Sequence, residues 1–269
     1  MISLNDLRQF KMQGRKFSCL TCYDASMAKV MQVAEIDSIL IGDSLGMTIQ
    51  GNDSTLPVTV ADMAYHTRAV RRANQHAFIM TDLPFMSYAT LPDAIANARE
   101  VMQAGAQMVK IEGGAWLAET VANLTRNGVP VCMHLGLTPQ SVHVFGGYKL
   151  QAKTREAADQ LLEDCQALAD AGAAMFVLEC VPAQLGKEVA ETFPHIPVIG
   201  IGAGNETDGQ VLVVQDMLGL TMGKLPKFVR NFMAEQAGAE AALNAIRAYH
   251  AAVQDQSFPS AEYTFQVEL

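Results

Sequence analysis

The stretch "SILIGDSLGM", Ser38–Met47, decides how the rest of this chain is read. Ile39, Leu40 and Ile41 form a short apolar run, Gly42 lets the chain turn, and Asp43 and Ser44 follow at once. A short run that is apolar on both faces is the mark of a strand buried in a parallel sheet. A carboxylate at its tip, taken singly, is an ordinary turn residue. The pattern recurs, however. "AFIMTD" (77–82) ends on Asp82, "QMVKIE" (107–112) on Glu112, "VPVCMH" (129–134) on His134 and "AMFVLE" (174–179) on Glu179. Apolar runs that each end on an ionisable group are better explained by one shared site than by repeated accidents of register.

Working outward, the segment 37–43 and the runs "FSCLTCY" (17–23), "PVIGIG" (197–202) and "QVLVVQ" (210–215) complete a set of eight strands. Amphipathic helices lie between them. Thr90 with Pro92 opens one that Gly105 closes, another spans about Ala115 to Asn127, and Thr154 opens a long one that stops at Gly172. Ser3 and Asp6 form a capping box and Gly14 a stop. They predict an extra N-terminal helix over about 3–13 that closes one end of the fold. An irregular tail occupies about 255–269. Strand–helix alternation over a single domain, 1–269, predicts an α/β fold, a (β/α)8 TIM barrel, with a doubly wound open sheet as the alternative. One connection, 203–209, is shorter than a helical crossover needs. Either its helix is degenerate or a strand is misplaced. Two connections, 44–62 and 135–153, are long enough to serve as lids or walls.

Composition narrows the partners. Formal net charge is -9, and Arg68, Arg71 and Arg72 read as the wet face of a helix. Neither nucleic acid nor an anionic membrane is expected. The N-terminus has no apolar run of the signal-peptide kind, and no stretch reaches transmembrane length. The 5 cysteines are scattered, which suits reduced thiols in a cytoplasm. Cys19 and Cys22 have CxxC spacing, but on a strand residues three apart face opposite sides.

In a barrel the C-terminal strand ends converge on one face, where active sites are built. Lys110 and Glu112 stand two apart on one strand and share a face. The site then holds Asp43, Asp82, Lys110, Glu112, His134 and Glu179. Carboxylates crowded together repel one another unless a cation sits among them, and an all-oxygen set suits Mg²⁺ or Mn²⁺. Asp43 and Asp82 are the direct ligand candidates. A 2-oxo acid chelating that ion is activated towards its enolate. Lys110 would neutralise its carboxylate, and Glu179 or His134 would move protons. The glycines of "GIGAGNETDG" lack a full dinucleotide motif and read as close-approach positions at the mouth.

Further motifs carry a resemblance. "IGDSLGM", "GNDSTLPVT", "DLPFMSY", "MVKIEGG", "HLGLTPQS", "FGGYK", "VLECVP", "IGIGAG", "DGQVLV" and "PKFVRNF" run in order from about residue 38 to 232. Together they resemble the 3-methyl-2-oxobutanoate hydroxymethyltransferase (ketopantoate hydroxymethyltransferase) family. The resemblance implies a barrel of the phosphoenolpyruvate/pyruvate-binding type. It implies transfer of a one-carbon unit from 5,10-methylenetetrahydrofolate to 3-methyl-2-oxobutanoate, giving 2-dehydropantoate on the route to pantothenate. By motif match it implies one Mg²⁺ per subunit on Asp43 and Asp82, with Glu112 as a third ligand or directly behind one. Ser44 and Lys110 then hold the oxo acid, His134 contacts its keto or product oxygen, and Glu179 is the general base. A large homo-oligomer, a decamer, is also implied.

Two departures stand out. Ala25 in "TCYDASMA" (21–28) occupies a position where the family commonly has tyrosine, and the tail after Ala234 is divergent. Two rival readings follow from the residues. One is a carbon–carbon lyase acting on a 2-oxo or 2-hydroxy acid on the same barrel, which would work without folate. The other is a non-catalytic binding or assembly protein, which gives no reason to keep mutually repelling carboxylates.

Overall fold

A computed structural model describes the whole chain, residues 1–269. The apolar runs form eight parallel strands: β1 (Phe17–Thr21), β2 (Ser38–Ile41), β3 (Phe78–Asp82), β4 (Met108–Glu112), β5 (Val131–Gly136), β6 (Met175–Glu179), β7 (Val198–Ile201) and β8 (Gly209–Leu212). They pair in chain order, and β8 returns to β1 with Gly209 opposite Phe17. The sheet is therefore a closed barrel, and the open-sheet alternative falls.

Period-two alternation sorts the strand residues between two cores. Phe17, Cys19, Leu40, Phe78, Met80, Met108, Cys132 and Val177 fill the barrel. Leu20, Ile39, Ile79, Val109, Ile111 and Met133 face the surrounding helices. Cys19 lies in the first group and Cys22 in the second, so the CxxC pair faces opposite ways. All five cysteines are buried and free.

Helix Leu4–Met12 opens on the Ser3/Asp6 capping box and carries Leu7 into the barrel-filling cluster, at the N-terminal end of the strands. Lys11 pins it there. Its ammonium donates to the carbonyls of Ala190 and Ile196 at 2.9 and 2.8 Å and to Asp208 at 2.7 Å. All three of its donors are thus satisfied.

The short connection between β7 and β8 is the degenerate one. It has no helix and packs directly on helix Ala183–Thr192. A β-carbon at Gly186 would stand 2.1 Å from the Ala203 carbonyl oxygen, so only glycine permits that approach. The seam between β8 and β1 is covered instead by helix Ala241–Gln254. The Tyr249 hydroxyl of that helix reaches the carbonyls of Cys19 and Gln210 at 2.9 and 2.8 Å.

Several boundaries differ from the sequence pattern. β8 stops at Leu212, and the residues expected to extend it enter a short helix, Val214–Met217. β2 stops at Ile41, leaving Asp43 in the turn beyond it. β5 runs on to Gly136, which still pairs with Glu179, so His134 lies within its strand and not at the end. The segment from Ala115 is a 3-10 turn leading into helix Ala118–Arg126. Beyond Gln254 the only further element is a 3-10 turn, Ala261–Tyr263. The backbone after it is held on both sides. The Phe265 carbonyl accepts from Ala183 N–H at 3.0 Å, and the Thr264 carbonyl from Lys227 at 2.6 Å.

Candidate active site

The strand register assembles the site. Asp82 lies opposite Lys110, Glu112 opposite His134, and Gly136 opposite Glu179. The charged side chains therefore meet their neighbours around the barrel wall. Lys110 Nζ stands 2.8 Å from Asp82 Oδ1 and 3.7 Å from Glu112 Oε1. His134 Nδ1 is 3.1 Å from Glu112 Oε1, and Nε2 is 3.2 Å from Glu179 Oε2. Asp43 joins from the turn after β2: its N–H donates to Asp82 Oδ2 at 3.0 Å. Ser44 Oγ is 2.7 Å from the Tyr23 hydroxyl. Asp43, Asp82, Lys110, Glu112 and His134 are buried, and all of them line one cavity of ≈ 1060 Å³ with Ser44 and Glu179.

Burial and mutual repulsion set the charges. Burial first, then Asp82 and Glu112, pushes the Asp43 carboxyl well above the usual carboxylate range. Burial also raises Asp82, against the pull of Lys110. For Glu112 burial is outweighed by His134 and Lys110, and its carboxyl stays low. Burial and Lys110 oppose the charged form of His134, but Glu112 and Glu179 prevail and lift it to about 9. Held as the cation, His134 donates from Nδ1 to Glu112.

The residues fit a magnesium ion. Asp82 Oδ1 is buried and accepts no hydrogen bond, because the close Lys110 contact is an ion pair without hydrogen-bond direction. Asp43 is also buried and receives a single side-chain hydrogen bond, from Gln140 Nε2 to Oδ2 at 2.8 Å. No trio of His, Cys, Asp or Glu side chains gathers on one point as in an all-protein metal cage. Mg²⁺ asks for less, since it is commonly held by one or two carboxylates and completed by water or substrate oxygens. Glu112 is differently placed from the two aspartates. Both its oxygens are committed, Oε1 to His134 and Oε2 to the Gln140 N–H at 3.0 Å.

The sequence profile of the ketopantoate hydroxymethyltransferase family matches residues 1–261. A protein of Acinetobacter baylyi named 3-methyl-2-oxobutanoate hydroxymethyltransferase is 79% identical over 269 residues, covering 100% of both chains. A protein of the same name from a Psychrobacter species is 57% identical over 270 residues, covering 98% of this chain and 100% of its own. The chain belongs to the ketopantoate hydroxymethyltransferase family. Solved structures extend the likeness in fold alone. Phosphonopyruvate hydrolase complexed with oxalate and Mg²⁺ matches with TM-score 0.63 at 12% identity, over 82% of this chain and 84% of that one. The lyase 2,3-dimethylmalate lyase, of the PEP mutase/isocitrate lyase superfamily, matches with TM-score 0.59 at 16% identity, over 79% and 81%.

Within this family member the site includes residues that charge-based reading passed over. Gln140 is the clearest. Its Nε2 donates to Asp43 Oδ2 at 2.8 Å and to the Leu83 carbonyl at 3.0 Å, and its Oε1 accepts from the Tyr88 hydroxyl at 2.6 Å. It sits in "HLGLTPQS", where a neutral amide in a long loop carries no signal of its own. Tyr88 braces Glu112, whose backbone N–H donates to the Tyr88 hydroxyl at 3.3 Å and whose carbonyl lies 3.2 Å from it. Cys180 lines the cavity but is buried, and burial followed by the Glu179 charge pushes its thiol up. A thiol kept protonated is a poor nucleophile, so Cys180 is a wall residue.

Proposed function

We propose that this chain transfers the one-carbon unit of 5,10-methylenetetrahydrofolate to 3-methyl-2-oxobutanoate, giving 2-dehydropantoate for pantothenate synthesis. The observation that carries the reading is the unbroken row Asp82–Lys110–Glu112–His134–Glu179, with a buried carboxylate oxygen that accepts no hydrogen bond at one end and a carboxylate placed to take a proton at the other. Family membership and the names of relatives 79% and 57% identical support the same reaction.

Asp43 and Asp82 would hold one Mg²⁺ per subunit. When bound, the ion draws electron density from the keto group and favours the enolate. The protein does the rest. Lys110, whose ammonium faces Asp82, Glu112 and, at 3.3 Å, His134 Nδ1, would turn a donor to the substrate carboxylate, and the Ser44 hydroxyl lines the same cavity. Glu112, proposed as the third metal residue, acts chiefly by holding His134 and the Gln140 backbone in place. Cationic His134 presents Nε2 to the keto or product oxygen. Glu179, the least enclosed carboxylate of the row at 12% exposure, takes the proton from C3. One carbon–nitrogen bond of the folate methylene opens to give an iminium, the enolate carbon attacks that methylene carbon, and water then replaces the remaining folate nitrogen, leaving the hydroxymethyl group on the product and tetrahydrofolate free. A lyase that needs a reactive cysteine at the mouth is disfavoured, because Cys180, the cysteine lining the cavity, is buried and its thiol stays protonated.

The chain is further proposed to act as a single barrel unit within a homo-oligomer, a decamer, in the cytoplasm. No helix is long and apolar enough to cross a membrane. Light scattering on purified protein measures the assembly directly. For the reaction, proton NMR of 3-methyl-2-oxobutanoate in D₂O is decisive. Magnesium-dependent loss of the C3 proton, with or without a tetrahydrofolate analogue, is the expected result. Retention of that proton under both conditions refutes the assignment and returns the lyase and binding readings to the front.

A further inference from the structure

The cavity is chemically lopsided. The ionisable groups gathered at its floor come from the strands β3 to β6 and the turn after β2. The opposite side presents Ile201 from β7, Val211 from β8 and Val213 just beyond it, then Phe228 and, from the tail, Phe265. Flat apolar walls of this kind suit a planar ring. The cavity's ≈ 1060 Å³ also leaves most of its space beyond a small branched oxo acid held among the carboxylates.

Two polar side chains just beyond β8 interrupt the apolar wall, and the protein leaves acceptor capacity on both. Gln215 Oε1 is buried and has no hydrogen-bond partner. Asp216 accepts the Thr221 hydroxyl on Oδ1 at 2.5 Å, which leaves Oδ2 free to face the cavity. A native buried acceptor left alone points to a donor supplied from outside. Further out, Lys224 is an exposed cation on the same rim with no acidic partner, in a chain of net charge -9. Its neighbour Lys227 is already spent on the Thr264 carbonyl.

We propose that the Gln215–Asp216 pair at the head of β8 grips the pterin edge of the folate co-substrate, with Lys224 meeting its glutamate tail. The inference rests on the reading of the chain as a folate-dependent hydroxymethyltransferase and assigns the folate's place within it. The pterin's pyrimidine edge offers two adjacent donors, a ring N–H and an exocyclic amino group. A carboxylate beside an amide oxygen is the complementary acceptor set. The ring lies on Phe228, Phe265, Val211 and Val213. Its reactive methylene then faces the enolate across the barrel mouth. The carboxylate-terminated tail leaves past Lys224.

The test compares Asp216→Asn, Gln215→Leu and Lys224→Glu with the parent enzyme. Steady-state kinetics are run with mono- and triglutamyl methylenetetrahydrofolate. The Asp216 and Gln215 variants should raise KM for folate by about tenfold or more, the effect of losing a charge-assisted or buried hydrogen bond. KM for the oxo acid should stay within about twofold. Lys224→Glu should penalise the triglutamate more than the monoglutamate. Asp216→Asn keeps the side-chain shape and an oxygen for Thr221, so it guards against a folding artefact. Unchanged folate KM in both β8 variants overturns the proposal, as does an equal rise for both substrates. Absence of C3 exchange and of turnover in the parent enzyme is a different failure, and it sinks the reaction assignment itself.

Discussion

Gln140→Leu tests the support of the site with little change in volume. Leucine keeps the backbone N–H that holds Glu112 Oε2, but it removes every side-chain bond of the amide. Asp43 Oδ2 loses its donor at 2.8 Å, a bond to a buried carboxylate, worth about 1.5–3 kcal/mol. The Leu83 carbonyl loses its donor at 3.0 Å, about 1 kcal/mol. The Tyr88 hydroxyl loses its best acceptor but still reaches the Glu112 carbonyl at 3.2 Å, so its cost is small. The expected destabilisation is about 2–4 kcal/mol. Part of it is offset at high Mg²⁺, since a bound cation restores a partner to Asp43. Magnesium affinity should fall about 10–100-fold, as for other groups that orient a ligand from behind. Urea unfolding with and without Mg²⁺, together with calorimetric titration of the ion, measures both quantities. Wild-type magnesium affinity in a folded Gln140→Leu protein would refute the placement of the cation beside Asp43.

Other perturbations separate the remaining roles. Asp82→Ala should abolish metal-dependent binding of the oxo acid in calorimetry, and unchanged affinity would remove Asp82 from the metal site. Glu179→Gln should bind the oxo acid but lose C3 exchange by NMR. Full exchange in that variant would pass the base role to His134 or water. Thr59→Ala, which breaks the Thr59/Asp62 capping box of helix Val60–Ala73, should cost about 1 kcal/mol in urea unfolding at pH 7. The Thr59 hydrogen bonds hold the Asp62 carboxyl below its usual value. A depressed folded pKa stabilises above the unfolded value, near about 4, and that share is lost as pH falls through the folded pKa. The stability gap between wild type and Thr59→Ala should therefore narrow towards pH 2–3, and an equal gap at both pH values would contradict the carboxylate's part in the cap.

Strand existence was plain in the sequence because buried parallel strands are apolar on both faces, and the strand-end carboxylates followed from it. Asp82, Glu112 and Glu179 each end a strand as the pattern requires. His134 does not, because sequence shows where apolar residues stop and not where backbone pairing stops: Leu135 and Gly136 extend β5 beyond the histidine. β8 erred the other way. "VLVVQ" is as apolar as any strand, but Val214 begins a short helix capped from afar by the Thr21 hydroxyl on its N–H at 3.0 Å. Gln140 and Tyr88 were invisible for a different reason. Their importance lies in bonds to residues dozens of positions away, and neutral polar side chains announce nothing until the fold brings partners to them.

The ring closes between the two most distant strands. Phe17 pairs with Gly209, and Lys11 reaches Ala190, Ile196 and Asp208, so the last seam joins segments far apart in the chain. Such contacts carry the largest loop-closure penalty and form late in folding. Until then β1 and β8 are bare edges able to recruit other chains. The barrel's durability is thus governed by how fast this seam reopens. A bond made after the transition state slows unfolding without hastening folding. Lys11, remote from any chemistry, is in this sense the clasp that sets the lifetime of the folded ring.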